Sequence, residues 1–453
     1  TLTTVAGIPF YQGDSGSIYT HDVSGTDDAA TENTAYGFNA LDAITTGDNN
    51  SAFGKSALSA NTTGLHNTGI GRESLRDNTT ASGNTALGQS SMAANTTGTR
   101  NIAIGFAAYN SSDTENDNLA IGYDAMTTNT AGGTKNVAIG NYAGDALTSG
   151  DNNVVVGYQA GTAINSGGNN TAVGTEALRD MTTGSSATAI GYNAMLTNTT
   201  GSNNTAIGKE SLITNTTAAN HTAVGYYALK ANTGGQQNTA VGSSAMVTNT
   251  TGAQNVAVGY FALKTNATTA DNTAVGWGAL QDNVAANNTA VGSSALLDNS
   301  TGAGNTAIGK MALTNNTTAS KNTAIGKDAL FTNTTGAENV SIGNDSLIYN
   351  TTGGNNVAIG VECMDANTTG ASNVAIGKST LGANTTADHN TALGAYAMKD
   401  NTTGAANTAV GYYALYSNTT GTRNTAIGWQ AYQNSDTEND NTAIGYAAMT
   451  TNT

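Results

Sequence analysis

The sequence predicts an all-β chain, a parallel β-solenoid (β-roll) of about 25 rungs. A glycine recurs at a nearly constant interval, and the same short β-branched segment precedes it in copy after copy. Only 10% of the residues are charged. Disordered chains are equally polar, but they lack such strict apolar periodicity. A short repeat of this kind is typical of architectures in which each unit packs on its neighbours.

The repeat is seventeen residues long. The recurring glycine appears 25 times, from Gly37 to Gly445, and 22 of the 24 intervals are 17 residues, with one of 18 and one of 16. The consensus is N-T-A-I-G-x-x-A-L-x-x-N-T-T-G-x-x, in which the first Asn is position 1 and the recurring Gly is position 5. Asn fills position 1 in 23 copies and position 12 in 19. At the ~4.8 Å spacing of paired strands, the rungs are expected to form a rod of roughly 120 Å.

Each rung is predicted to hold two short strands and a turn. Positions 1 to 5 form a β-branched run that ends at Gly, which indicates a strand, and positions 6 to 9 suggest a second one. The Asn-Thr-Thr-Gly segment from position 12 has turn chemistry. Both irregular intervals change length between positions 12 and 17, as expected of an outward turn.

Positions 9 and 12 are predicted to share one interior space. Where position 9 loses its large residue, at Gly144 and Gly161, position 12 becomes Leu147 and Ile164. The Asn side chains at position 12 should therefore point inward and stack as hydrogen-bonded ladders, and they are not expected to accept glycans. Residues chosen to represent the structural ladder are Asn204, Gly208, Asn255 and Gly259.

The strand at positions 2 to 5 carries no charge in any copy. Position 3 lies on one face and positions 2 and 4 lie on the other, and a strand uncharged on both faces suggests burial on both. One face would pack inside its own coil and the other against another chain. We therefore expect a homo-oligomer, in the form of a trimeric fibre.

Two domains are predicted. Residues 33–453 form the repetitive shaft, and residues 1–32 stand outside the repeat and are interpreted as a cap or a junction. The chain begins at Thr1 and stops inside a repeat, from which we expect a processed or partial chain.

The formal net charge of −16 argues against nucleic-acid binding, which needs a basic face. It also argues against adsorption to anionic lipid. No stretch approaches the length of a transmembrane helix, so we do not expect this segment to insert into a membrane.

No catalytic, cofactor-binding or metal-binding residues are predicted, and the chain is not expected to be an enzyme. Cys363 stands in the small-residue column at position 8 and is interpreted as a buried substitute for Ala. No spacing within one chain of its four histidines, His21, His66, His221 and His389, fits a zinc site. The acidic segments 113–117 and 436–440 lack the glycine of a calcium loop and are interpreted as solvated loops.

The N-x-A-[IV]-G element, as at Asn204 to Gly208 and Asn255 to Gly259, resembles the head repeats of YadA-like trimeric autotransporter adhesins. The longer form with A-L-x-x-N-T-T-G is similar to repeats of phage tail-fibre proteins and related bacterial surface proteins. The resemblance covers residues 33–453 and implies a trimeric parallel β-roll used in attachment. It implies an extracellular location, on a virion tail fibre or on a bacterial cell surface, and leaves the two open.

Position 6 is the candidate functional column. It holds an aromatic residue in eleven copies and Lys in five, which predicts a partly exposed, amphipathic stripe. Such a stripe suits contact with cell-surface glycans, although its composition favours aromatic residues that cover the corner between strands or pack between chains. Its representative residues are Tyr226, Tyr260, Trp277, Tyr412 and Trp429.

The predicted function is a structural fibre or adhesin shaft that mediates attachment through a cell-surface glycan or protein receptor. The alternative is an ice-binding β-solenoid, since columns of Thr recur. A polysaccharide-cleaving β-helix enzyme is a third hypothesis, but such an enzyme requires clustered carboxylates on neighbouring rungs. Outside the two acidic segments the sequence offers no convincing cluster.

Overall fold

The computed structural model describes residues 3–5, 8–12, 17–20 and 29–450. These residues hold 28 β-strands and no helix. The chain forms two compact units, residues 1–223 and 224–453.

The strands, in chain order, are β1 (Thr3–Val5), β2 (Ile8–Gln12), β3 (Ile18–Tyr19), β4 (Thr34–Tyr36), β5 (Ser51–Phe53), β6 (Thr68–Ile70), β7 (Thr85–Leu87), β8 (Ile102–Ile104), β9 (Leu119–Ile121), β10 (Val137–Ile139), β11 (Val154–Val156), β12 (Thr171–Val173), β13 (Thr188–Ile190), β14 (Thr205–Ile207), β15 (Thr222–Val224), β16 (Thr239–Val241), β17 (Val256–Val258), β18 (Thr273–Val275), β19 (Thr289–Val291), β20 (Thr306–Ile308), β21 (Thr323–Ile325), β22 (Val340–Ile342), β23 (Val357–Ile359), β24 (Val374–Ile376), β25 (Thr391–Leu393), β26 (Thr408–Val410), β27 (Thr425–Ile427) and β28 (Thr442–Ile444).

From β4 onward each rung contributes one three-residue strand at positions 2 to 4. Within each unit these strands pair in parallel with the strand of the next rung, so that Thr188 faces Thr205 and Thr306 faces Thr323. The 16-residue interval keeps the same register, because Thr273 faces Thr289. The predicted β-solenoid of about 25 turns, about 17 residues apart, is therefore confirmed.

The second strand predicted at positions 6 to 9 was wrong. This segment is a turn in which positions 7 and 9 adopt left-handed backbone conformations, as at Glu210 (φ 52°) and Leu212 (φ 51°). Glu and Leu rarely adopt this conformation, so nothing in their residue types signals it. Rungs still bond to one another through the turn, since the Leu330 amide donates to the Ser346 carbonyl at 3.0 Å.

The glycine at position 5 forms the corner between the strand and this turn. Its φ is 130° at Gly208 and 140° at Gly259, where residues with a side chain are strained. A Cβ on Gly259 would also stand 2.3 Å from the carbonyl oxygen of Gly276, one rung on. The corner glycines thus bring successive backbones closer than any side chain allows.

The Asn ladder at position 1 is confirmed. The side-chain amide of Asn204 donates to the Ala218 carbonyl at 2.9 Å, across the interior of its own rung. Its Oδ1 accepts the backbone N–H of the next position 1, which is His221, at 2.9 Å. Asn255 likewise donates to the Thr269 carbonyl at 2.9 Å.

The Asn side chains at position 12 also point inward, as predicted. Asn350 is fully buried and donates to Asn333 Oδ1 at 2.8 Å, which links one rung to the preceding one. It also donates to the Gly353 carbonyl at position 15, at 2.9 Å. The position 1 residue of the same rung, Asn339, donates to that carbonyl too, at 2.9 Å. One inward carbonyl therefore ties both Asn columns together.

The remaining interior is small and apolar. Ala at positions 3 and 8 and Leu or Met at position 9 are buried in almost every rung. A Cβ on Gly161 would lie 2.8 Å from Ile164 Cδ1 and 2.6 Å from Val155 Cγ1. Positions 9 and 12 thus share one space, and Val155, in place of the usual Ala at position 3, helps to fill it.

The N-terminal segment pairs differently from the repeat. Strands β1 and β2 are antiparallel, as are β2 and β3, whereas β3 is parallel to β4, with Ile18 facing Thr34. Tyr19 is fully buried. The domain boundary at residue 32 stays a prediction.

We expect Asn333→Ala to destabilise the chain by about 1–3 kcal/mol, because it leaves the buried Gly336 carbonyl and the Asn350 amide with one partner fewer. Hydrogen exchange of the neighbouring backbone amides, together with the thermal midpoint, measures the effect. The matched control is Thr335→Ala, which truncates an exposed side chain two residues away and should change the midpoint little. Equal effects of the two substitutions would contradict the role of the ladder.

Candidate functional site: the aromatic stripe at position 6

The corner glycine at position 5 determines where the aromatic stripe at position 6 lies. Because the chain turns at position 5, the side chain of position 6 lies outside the coil rather than over it. The five representative residues are between 41% and 52% exposed, with Tyr412 and Trp429 at the lower value and Trp277 at the higher. Exposure matches the sequence interpretation, while glycan contact stays a prediction.

Aromatic residues at position 7 join the stripe. The rings of Tyr226 and Tyr227 stack with centroids 3.8 Å apart, and those of Tyr260 and Phe261 lie 3.9 Å apart. Sequence reasoning considered position 6 alone and missed position 7. Pairs of adjacent aromatic residues in the sequence, such as Tyr226 and Tyr227, are the signal that could have identified position 7.

Lysines lie against several of these rings. Lys230 Nζ stands 3.7 Å from the centroid of Tyr227, and Lys209 Nζ stands 5.8 Å from that of Tyr192 on the preceding rung. A cation over an aromatic face is attracted by the ring quadrupole. The stripe therefore presents rings and ammonium groups side by side, which is the amphipathic surface expected from its composition.

A dense aromatic group lies on the rungs that span residues 396–446. Tyr396 stacks on Tyr413 with centroids 5.3 Å apart, and Tyr413 contacts Tyr416 at 4.7 Å. Tyr412 stacks on Trp429 at 6.3 Å with an interplanar angle of 17°. A hydrogen bond with Tyr413, together with burial, raises the pKa of Tyr412 above that of a free tyrosine. We call Tyr396, Tyr412, Tyr413, Tyr416 and Trp429 the aromatic patch.

Cys363 is the buried Ala substitute that the sequence predicted. It is a free cysteine with no exposed surface, and its Sγ lies 3.3 Å from the carbonyl oxygen of Ala375. Burial raises the pKa of the thiol from 9.0 to about 12. A thiol that stays protonated at neutral pH is a poor nucleophile.

The histidines are dispersed. His66 and His389 are exposed at position 17, whereas His221 is buried at position 1, and His21 lies outside the described residues. Among the described residues, no group of three or more His, Cys, Asp or Glu side chains is arranged to hold a metal ion.

The acidic segment 113–117 is not simply solvated. Glu115 is buried, and its Oε2 accepts the amides of Asp113 and Thr114 at 2.9 and 3.0 Å. Asp117 pairs with Arg100 at 2.5 Å. The interpretation as a solvated loop was wrong for Glu115, because backbone amides replace its water. In the second acidic segment, amide hydrogen bonds lower the pKa of Glu438.

The described residues contain no helix of the length and apolarity that a membrane crossing needs. Compared with known proteins, the chain matches no protein-family model and no curated protein.

We expect the Cys363 thiol to resist Ellman's reagent at pH 8 in the folded chain and to react with one equivalent after denaturation, because it is buried and protonated. Its folded-state pKa lies above that of the unfolded thiol. Its contribution to stability is therefore complete below about pH 9 and is lost as the pH rises towards 12. Cys363→Ala, which restores the commonest residue of its column, should melt with a shallower alkaline decline. Rapid labelling of the folded chain would contradict this.

Proposed function

We propose that this chain is the repetitive shaft of an extracellular attachment fibre built from three parallel copies, carried by a phage tail or a bacterial surface. The observation that carries the proposal is the strand face formed by positions 2 and 4. Position 4 is apolar in every copy, yet many of its side chains are more than a third exposed in the single chain, as with Ile190 at 38% and Ile308 at 40%. Within each unit, exposed apolar side chains that repeat on successive rungs are typical of an interface.

Further copies of the same chain are the partners that fit this face. The apolar side chains repeat at the spacing of paired strands, ~4.8 Å, along each unit. A partner fills every rung only if its own side chains repeat with the same period, and an identical chain does so without further design. The resemblance to trimeric adhesin heads favours three copies.

A stacked shaft suits attachment for a second reason. The aromatic stripe recurs on many rungs, so one chain carries many weak contact points, and each further copy multiplies them. Linked weak contacts gain avidity without any single strong site. The receptor that we propose is a cell-surface glycan or protein, and the proposal assigns no reaction to the chain.

Ice binding remains the second candidate because of one surface column. Position 14 presents exposed threonines on successive rungs, among them Thr335, Thr352 and Thr369. The threonines of position 13 are tied to the backbone, since Thr334 Oγ1 donates to the Thr351 carbonyl at 3.1 Å. Within this turn, the exposed threonine hydroxyls therefore form a single column, at position 14. A thermal-hysteresis measurement separates this function from attachment.

We expect the chain to sediment at three times its mass of 45.3 kDa in analytical ultracentrifugation. Ile308→Lys combined with Ile190→Lys should dissociate the trimer, because both place a charge in the buried contact. The matched control, Thr318→Lys with Thr200→Lys, adds the same charge at exposed position 14 and should leave the trimer intact. A monomeric unmodified chain at micromolar concentration would overturn the proposal.

A further inference from the structure

A cleft opens on the turn face of the second unit, next to the aromatic patch. Among the residues that line it are Glu362, Asp365, Gly382, Tyr396 and Lys399. They belong to positions 7 and 10 of three successive rungs, so the cleft crosses the rungs on the turn and not on the strand face that we assign to the trimer.

Gly382 lines the cleft and contributes no side chain to it. Position 10 carries Asp365 on the preceding rung and Lys399 on the following one. A Cβ on Gly382 would lie 3.3 Å from Asp365 Oδ1 and 3.7 Å from Lys399 Cγ. The missing side chain thus leaves a gap with the Asp365 carboxylate on one side of the residue and the alkyl part of Lys399 on the other. The Lys399 ammonium group lies further along the cleft wall, with Nζ 5.9 Å from the Tyr396 ring centroid.

Polar groups of both kinds converge on this gap. Glu362, Asp365 and Asp400 supply acceptors, and Lys378 and Lys399 supply donors. No ion pair joins these five charged groups in the part of the chain that the structure describes. Burial, followed by repulsion from Glu362 and Asp345, raises the pKa of Asp365 above that of a free aspartate. Glu362 Oε2 accepts a hydrogen bond from the Ser379 hydroxyl at 3.2 Å. Carboxylates and ammonium groups can each take part in several hydrogen bonds, so without ion pairs among them these groups keep capacity for a ligand.

The aromatic patch continues from the wall of the cleft. Tyr396 lines the cleft and stacks on Tyr413 of the next rung, and Tyr412 stacks on Trp429 one rung further. Tyr412 and Trp429 are each 41% exposed. A ligand that fills the cleft and extends along the rungs therefore passes from a polar gap onto a row of exposed rings.

Sugars combine the two properties that this surface recognises. A sugar ring has an apolar C–H face that packs on aromatic rings, and a hydroxyl edge that bonds to carboxylates and ammonium groups. The acid-rich cleft and the net charge of −16 oppose polyanionic glycans. Neutral and amino sugars fit both the charge and the rings.

We propose that the cleft around Gly382 and the aromatic patch together bind a neutral or amino-sugar oligosaccharide. The proposal rests on the attachment function above and names the class of its receptor. Tyr396 and Trp429 provide stacking platforms, and Asp365 and Lys399 bind hydroxyl groups.

Titration calorimetry of the full chain tests the site. The probes are cellohexaose, mannohexaose, chitohexaose and, as the anionic arm, hexagalacturonate. We expect saturable binding of at least one of the first three and none of the fourth. Trp277→Phe leaves Trp429 as the single tryptophan, and its fluorescence should change on binding.

Two substitutions locate the site. Trp429→Ala should weaken binding about tenfold, as removal of a central aromatic contact does. Its matched control is Trp277→Ala, which removes an exposed ring of the same column, 52% exposed against 41% for Trp429. Trp277 lies beside Gly278, far from the cleft in sequence, and its loss should change affinity less than twofold. Gly382→Thr fills the gap with a residue that position 10 carries in other rungs. It should weaken binding about tenfold while the melting temperature stays unchanged.

Absence of binding to all three uncharged hexamers would overturn the proposal. Equal losses of affinity from Trp277→Ala and Trp429→Ala would also overturn it, and so would preferential binding of hexagalacturonate. Sedimentation is read separately. If the chain is a trimer and binds no hexamer, the proposed sugar site is wrong and the proposed fibre stands. If the chain is a monomer and binds a hexamer, the proposed trimer is wrong and the sugar site stands.

Discussion

The structure depends on one inward carbonyl per rung. The position 15 carbonyl accepts a side-chain amide from each of two Asn columns, as Gly353 does from Asn339 and Asn350. These amides close the interior of a coil whose apolar side chains are mostly Ala and Leu, and their oxygens bond to the neighbouring rungs. A buried amide without partners is costly, so each Asn holds its own rung closed and fixes the register of the next. Stability is thereby spread along the repeat instead of being concentrated in one core.

The ladder also explains the exceptions to the consensus. Tyr109 occupies position 9 where position 12 is the smaller Ser112, and its hydroxyl accepts the amides of Asn118 and Asn129 at 2.5 and 3.2 Å. Asn95 lies one rung before Ser112, and its Oδ1 has no partner among the described residues. At this rung, as at Gly161 and Ile164, the interior substitutions are paired across positions 9 and 12, while the exposed turn at positions 6, 7 and 10 varies freely. That freedom allows one set of rungs to carry the cleft at Gly382 and the aromatic patch.

Much of the interior was predictable from the sequence, because the strict repeat allows each position to be compared across its copies. The exchange of Gly161 and Ile164 revealed the shared space, and the columns of Asn revealed the ladders. The left-handed backbone conformations at positions 7 and 9 were not predictable, because residues such as Glu210 and Leu212 rarely adopt them. We attribute them to the stacking of successive rungs. The cleft was missed for a related reason. Asp365, Gly382 and Lys399 are 17 residues apart, and only the turn geometry brings them together.

Distances between spin labels test the central claim, that each seventeen-residue unit is one rung. In a Cys363→Ala background, nitroxide pairs at exposed position 14 would be placed at 318 and 403, at 318 and 420, and at 301 and 420, which are five, six and seven rungs apart. Double electron–electron resonance should give ~24, ~29 and ~34 Å, an increase of ~4.8 Å for each added rung. Distances that do not grow by one strand spacing for every seventeen residues would contradict the account.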